Sequence, residues 1–256
     1  MTLLLTLAIE SLNPLIEKGE HDILDCPKIS SEQLGLRGVM VDADHLSGWE
    51  MEQYDAFRNA ADKVHCPCLL LRGTRQLDLF LDQEASRERI LRLAVAANRL
   101  GCNAVAISPV FPNEAESVDH VVAQLREAMS DVERLDLNLL LQPTEGFTSD
   151  PDELIEVIKK IGGFRIGALP TFSSAAQSDD PLEALRKLAP YAGGVIADFP
   201  SGRGKRKIDP VDGLLAVREV GYSNSLALQY IGTKKNPIKE IETVAKQMKS
   251  ALEENK

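Results

Sequence analysis

Leu137-Asn138-Leu139-Leu140-Leu141-Gln142 is followed by a polar connection and then by Asp150-Pro151-Asp152-Glu153, which opens a segment running to Gly162; a second apolar run, Arg165-Ile166-Gly167-Ala168-Leu169-Pro170-Thr171, comes next. The two short runs are nearly continuous in apolar residues, the pattern of strands buried on both faces. Between them, Asp150 is placed to cap a helix, Pro151 to occupy its first position, Glu153 to complete a capping box and Gly162 to end it. Strand, helix and strand in this order make a parallel βα unit.

The same unit repeats in both directions. Eight runs read as strands: Leu3–Ile9, Gly38–Val41, Cys68–Arg72, Ala104–Ser108, Leu137–Gln142, Arg165–Thr171, Val195–Asp198 and Ser225–Tyr230. Between Ser86 and Gly101, the residues Ile90, Leu93, Ala94, Ala97 and Leu100 fall on one helical stripe, which faces a wall of strands. Eight repeats predict an α/β fold, a parallel eight-stranded (β/α)8 TIM barrel, and 256 residues suit one such barrel spanning 1–256 as a single domain. A doubly wound open sheet fits less well. The first strand is followed by Glu10-Ser11-Leu12-Asn13-Pro14, with no Gly-rich dinucleotide fingerprint, and eight units exceed its usual six strands.

Composition narrows the partners. The formal net charge of −10, from 29 Lys and Arg against 39 Asp and Glu, repels a phosphate backbone and predicts no nucleic-acid partner. The opening Leu3 to Ile9 run lacks the basic flank and cleavage site of a signal peptide, and no apolar stretch approaches the roughly 20 residues of a membrane helix. A cytoplasmic protein with no membrane partner is expected. Cys26, Cys66, Cys68 and Cys102 form no CxxC pair and read as buried thiols. Apolar helix faces leave room for a homo-oligomer.

Barrels carry their chemistry where strands end. The residues there are Glu10, Asp42, Asp44, His45, Arg72, Arg75, Ser108, Gln142, Glu145, Thr171, Asp198, Gln229 and Tyr230. Asp42-Ala43-Asp44-His45 reads as an exposed turn, with a weak metal or tuned imidazole as its functional alternative. After the seventh strand, Ser201-Gly202-Arg203-Gly204-Lys205-Arg206-Lys207 concentrates four cations in a Gly-containing loop, and the eighth adds Gly232-Thr233-Lys234-Lys235. Barrels often hold phosphate near these two loops, so Arg203, Lys205, Arg206 and Lys234 are candidate contacts to a phosphorylated or acidic ligand. A solvated charge run is the other reading.

The segment from Leu137 to Gly232 resembles the sugar phosphate isomerase/epimerase family of xylose-isomerase-like barrels. The likeness lies in Leu139-Leu140-Leu141-Gln142, Gly167-Ala168-Leu169-Pro170-Thr171, Ile196-Ala197-Asp198 and Leu228-Gln229-Tyr230, and the stretch from Leu24 to Gly38 resembles the family's lead into its second strand. The resemblance implies a divalent metal held by Glu, Asp, His and Glu; the matching positions here carry Gln142, Thr171, Ile196 and Gln229. With that charge removed, no metal and no other cofactor are expected. What the resemblance leaves is proton abstraction beside a carbonyl of a small carbohydrate or sugar phosphate. Asp198 or Glu145 would be the base, Gln142, Gln229 or Arg72 donors to the oxyanion, and Thr171 a substrate contact. The alternative is a catalytically inactive pseudoenzyme serving as a binding or partner subunit. A metal-dependent abasic-site nuclease on the same barrel is disfavoured by the ligand set and the charge.

Overall fold

A computed structural model describes residues 3–112, 115–201 and 208–254. The eight strands are β1 (Leu4–Ala8), β2 (Val39–Asp42), β3 (Cys68–Leu77), β4 (Ala104–Pro109), β5 (Asn138–Leu141), β6 (Ile166–Ala168), β7 (Gly194–Phe199) and β8 (Ser225–Tyr230). All neighbours are parallel, in the order β6-β5-β4-β3-β2-β1-β8-β7. Two parallel bridges, Ala168 to Ala192 and Thr171 to Ile196, join β6 to β7 and close a (β/α)8 TIM barrel. Among the described residues no helix is long and apolar enough to cross a membrane.

Both strand faces are buried, which is why the runs lack polar alternation. One face fills the barrel with Ala8, Met40, Leu70, Ala104, Ala106, Leu140, Leu169, Ile196 and Ala227. Alanines opposite Met40, Leu70 and Leu140 let the large side chains interdigitate inside a small barrel. The other face, with Val41, Leu71, Val105 and Leu141, joins the larger core beneath the helices. There Ile90, Ala94, Ala97 and Leu100 of the helix Gln83–Leu100 are buried as their spacing predicts, and Gly101 ends that helix at φ 77°. The helix Pro151–Ile161 stops at Gly162; Asp150 caps it by accepting from the Asp152 amide, where the sequence suggests a reciprocal box with Glu153.

Two strands depart from their sequence boundaries. β6 stops at Ala168 because Pro170 has no N–H for the ladder and Thr171 turns its hydroxyl to cap the helix Phe172–Ala175, accepting from Ser174 N. β3 runs on to Leu77, past the expected Arg72, with a bulge between Arg72 and Gln76. The alignment of Ile196 with a ligand position is also corrected. Ile196 is wholly buried inside the barrel, and the β7 residue at the mouth is Asp198, two positions on and one layer higher.

Candidate active site

Counting two residues from each interior position gives the inward-facing ring at the C-terminal mouth. Glu10 follows Ala8, Asp42 follows Met40, Arg72 follows Leu70, and Ser108, Gln142, Thr171, Asp198 and Gln229 follow Ala106, Leu140, Leu169, Ile196 and Ala227. The period of two that keeps the interior apolar thus brings these polar side chains to one opening.

Arg72 organises one side of the ring. Its Nε donates to Asp42 Oδ1 at 2.7 Å, Nη2 to Asp42 Oδ2 at 2.6 Å and to Glu10 Oε2 at 2.5 Å, and Nη1 to Gln229 Oε1 at 3.1 Å. Gln229 Nε2 in turn donates to Glu10 Oε2 at 2.6 Å. A guanidinium has five N–H donors. Four are used, so one Nη1 hydrogen is left for a ligand oxygen. Asp42 and Arg72 are only 3% and 9% exposed, a buried bidentate pair, whereas the Glu10 side chain remains 41% exposed at the rim.

Charge on Glu10 is contested. Burial raises its pKa, as do the hydrogen bond and negative charge of Asp42; Arg72 pulls the other way, and the outcome is a carboxyl pushed up to about 7. Such a group exchanges protons near neutral pH. Nearby, burial lowers the His45 pKa against the opposing pull of Asp42 and Asp44, favouring a neutral imidazole. Asp44 accepts from Thr74 Oγ1 at 2.8 Å.

The rest of the ring is more occupied. Gln142 Nε2 donates to Ser108 Oγ at 2.8 Å and to the Gly73 carbonyl at 3.1 Å, which lies in the β3 bulge. Asp198 accepts from both the amide and the hydroxyl of Ser173, one bond on each carboxylate oxygen. Thr171 is engaged in its helix cap. Glu145 is exposed in the loop after β5, and the Tyr230 hydroxyl pairs with Ser201. The Lys234 ammonium is paired with Glu240, while Arg203, Lys205 and Arg206 lie outside the described residues.

Gln142, Thr171, Asp198 and Gln229 do not fit a hard dication. They offer one carboxylate, Asp198, whose two oxygens each accept from Ser173, and Gln229 has both amide atoms committed to Arg72 and Glu10. Among the described residues no group of three or more His, Cys, Asp or Glu is arranged to hold a metal ion.

Glu10 is named among the strand ends in the sequence, but the base is expected there at Asp198 or Glu145. What distinguishes it is tertiary: Glu10, in the 3-10 turn Ile9–Leu12 after β1, accepts from Arg72 of β3 and Gln229 of β8, and no local pattern marks those contacts.

An eight-stranded parallel barrel with polar groups converging at its C-terminal mouth defines a class of barrel proteins whose sites are built on strand ends. The chain belongs to the xylose isomerase-like TIM barrel family, whose model matches residues 30–251. No curated protein sequence matches it. Among solved structures it is similar to 3-keto-D-glucoside 4-epimerase from E. coli, at 12% identity and TM-score 0.76 over 97% of this chain and 100% of that one. A probable 3-DHS dehydratase from Bacillus anthracis gives 14%, 0.75, 97% and 99%, and D-psicose 3-epimerase from Clostridium cellulolyticum gives 14%, 0.73, 98% and 97%. At these identities the likeness is one of fold.

Proposed function

We propose that this chain is a carbohydrate-directed isomerase or epimerase that moves a proton beside a carbonyl with its own side chains and no divalent metal. The observation that carries the reading is Glu10: a carboxyl at the barrel mouth, raised to about 7, within hydrogen-bond distance of both Arg72 and Gln229. The ionised Glu10 takes the proton from the carbon next to the carbonyl. The electron pair of that C–H bond forms the new C=C bond and the carbonyl π pair moves to the oxygen, which becomes an enediolate oxygen held by the remaining Nη1 hydrogen of Arg72. Return of that proton by Glu10 to the other carbon, with the hydroxyl proton passing from one enediol oxygen to the other, exchanges aldose and ketose; inversion at the first carbon takes a proton from water on the opposite face while Glu10 releases its own to solvent. Sugar epimerases among the similar folds support the substrate class.

Incubation with D-fructose and D-xylose in deuterium oxide after dialysis against a chelator tests this. Proton NMR is expected to show loss of the signal beside the carbonyl, and Glu10→Gln to abolish that loss. Exchange that needs added Mn2+ would overturn the metal-free reading. A second reading, a binding subunit without turnover, is favoured by Gln142 and Gln229 in place of carboxylates and by the Ser173 bonds to both oxygens of Asp198. Sugar binding without exchange would select it.

A further inference from the structure

Above the mouth, β3 stands taller than its neighbours. Thr74 and Gln76 follow Arg72 at steps of two, and the bulge lets Gln76 pair with Ser108 of β4. These residues, with Thr144, Glu145 and Gln177 from the loops after β5 and β6, line a cavity of about 280 Å³. Among the described residues around it, each apart from Pro143 carries a hydroxyl, carboxamide or carboxylate, and none is Lys or Arg. Thr144 is turned toward Thr148 and the Pro109 carbonyl, so its hydroxyl is fixed.

The cavity lies beside the mouth. Ser108 lines it and accepts from Gln142, whose amide also binds the Gly73 carbonyl immediately after Arg72. Gln76 lies four residue steps beyond Arg72, a span of at most about 13 Å at roughly 3.3 Å per residue. One sugar ring at Arg72 does not cover that span; two linked rings do. The volume falls just under the roughly 300–1,000 Å³ of sites that enclose a whole drug-sized ligand, which suits a single further ring. Glu145 repels an anion and makes charge-assisted hydrogen bonds to sugar hydroxyls.

We infer that the cavity between the ends of β3 and β4 and the loops after β5 and β6 is a second-ring subsite, and that the ligand is a neutral two-unit carbohydrate carrying its carbonyl at the Arg72 end. The inference rests on the carbohydrate reading above and narrows it. NMR titration of the full chain with D-fructose, its neutral glucoside isomaltulose, and D-fructose 6-phosphate separates the possibilities. Isomaltulose is expected to bind about tenfold more tightly than D-fructose, the worth of one good hydrogen bond to a charged group. In the Glu145→Ala, Gln177→Ala double variant the ratio of the two dissociation constants is expected to fall toward one. Equal affinities in the wild type, or an unchanged ratio in the variant, would remove the subsite while leaving D-fructose binding and exchange to support the parent reading. Tighter binding of the phosphate than of isomaltulose overturns the neutral-ligand inference in favour of the basic loop. If none of the three sugars binds, both readings fall.

Discussion

Glu10 holds its proton to about pH 7 because burial and the neighbouring Asp42 outweigh the attraction of Arg72. If it is the base, deuterium exchange into the sugar should rise with pH through about 7 and level off above, as the carboxylate form fills. The linkage to stability has the opposite slope. A carboxyl raised from 4.5 to about 7 binds its proton more tightly folded than unfolded, so its contribution is complete below 4.5 and is lost as pH rises through 7. Glu10→Gln removes that loss, so its melting temperature relative to the wild type should climb between pH 5 and pH 8; a constant difference would refute the raised value. Arg72→Ala leaves the buried Asp42 carboxylate without its bidentate partner, at a cost of about 3–5 kcal/mol in denaturant unfolding. Arg72→Lys should recover only part, since an ammonium cannot serve both oxygens and Gln229 together.

Gly73 sits where the β3 bulge meets a helix. A Cβ there would lie 2.8 Å from Leu93 Cδ1 and 3.2 Å from the Ala106 carbonyl oxygen. Gly73→Ala should therefore cost about 1–3 kcal/mol through overpacking. Because the nearest atom is the end of a side chain, Leu93→Ala in the same protein should relieve part of it, and a double-mutant cycle measures the coupling. Additive single effects would show that the backbone, and not Leu93, sets the limit. At this scale the sequence was readable where signals are local: Asp150, Pro151 and Gly162 bound their helix, and the stripe from Ile90 to Leu100 faces the core. It was unreadable where pairing decides. In Gly73-Thr74-Arg75-Gln76 only Thr74 favours a strand, and registration against Ser108 and Pro109 of β4 is what extends β3 to Leu77. Thr171 likewise reads as the end of a strand until Pro170 interrupts the ladder.

Across the whole barrel the seam between β6 and β7 is the thinnest. It is held by isolated bridges, with Gly193 N donating to Ala168 O at 3.0 Å and Ile196 N to Pro170 O at 2.9 Å, whereas β7 and β8 share a six-residue register. Native-state hydrogen exchange should therefore find the amides of Gly193 and Ile196 less protected than those of Leu226 and Leu228; equal protection would mean that the barrel opens only as a unit.

Local patterning determined the eight strands, the helices between them and the list of polar residues at the strand ends, because burial on both strand faces and helix caps leave their mark within a few residues. Tertiary structure alone decided which of those ends meet. Glu10, Asp42, Arg72 and Gln229 are separated by up to 219 positions, and they become one hydrogen-bonded group only when β8 pairs with β1 and the ring closes. The same closure placed Ile196 inside and Asp198 at the mouth, because the layer that a strand residue occupies is fixed by its neighbours across the sheet.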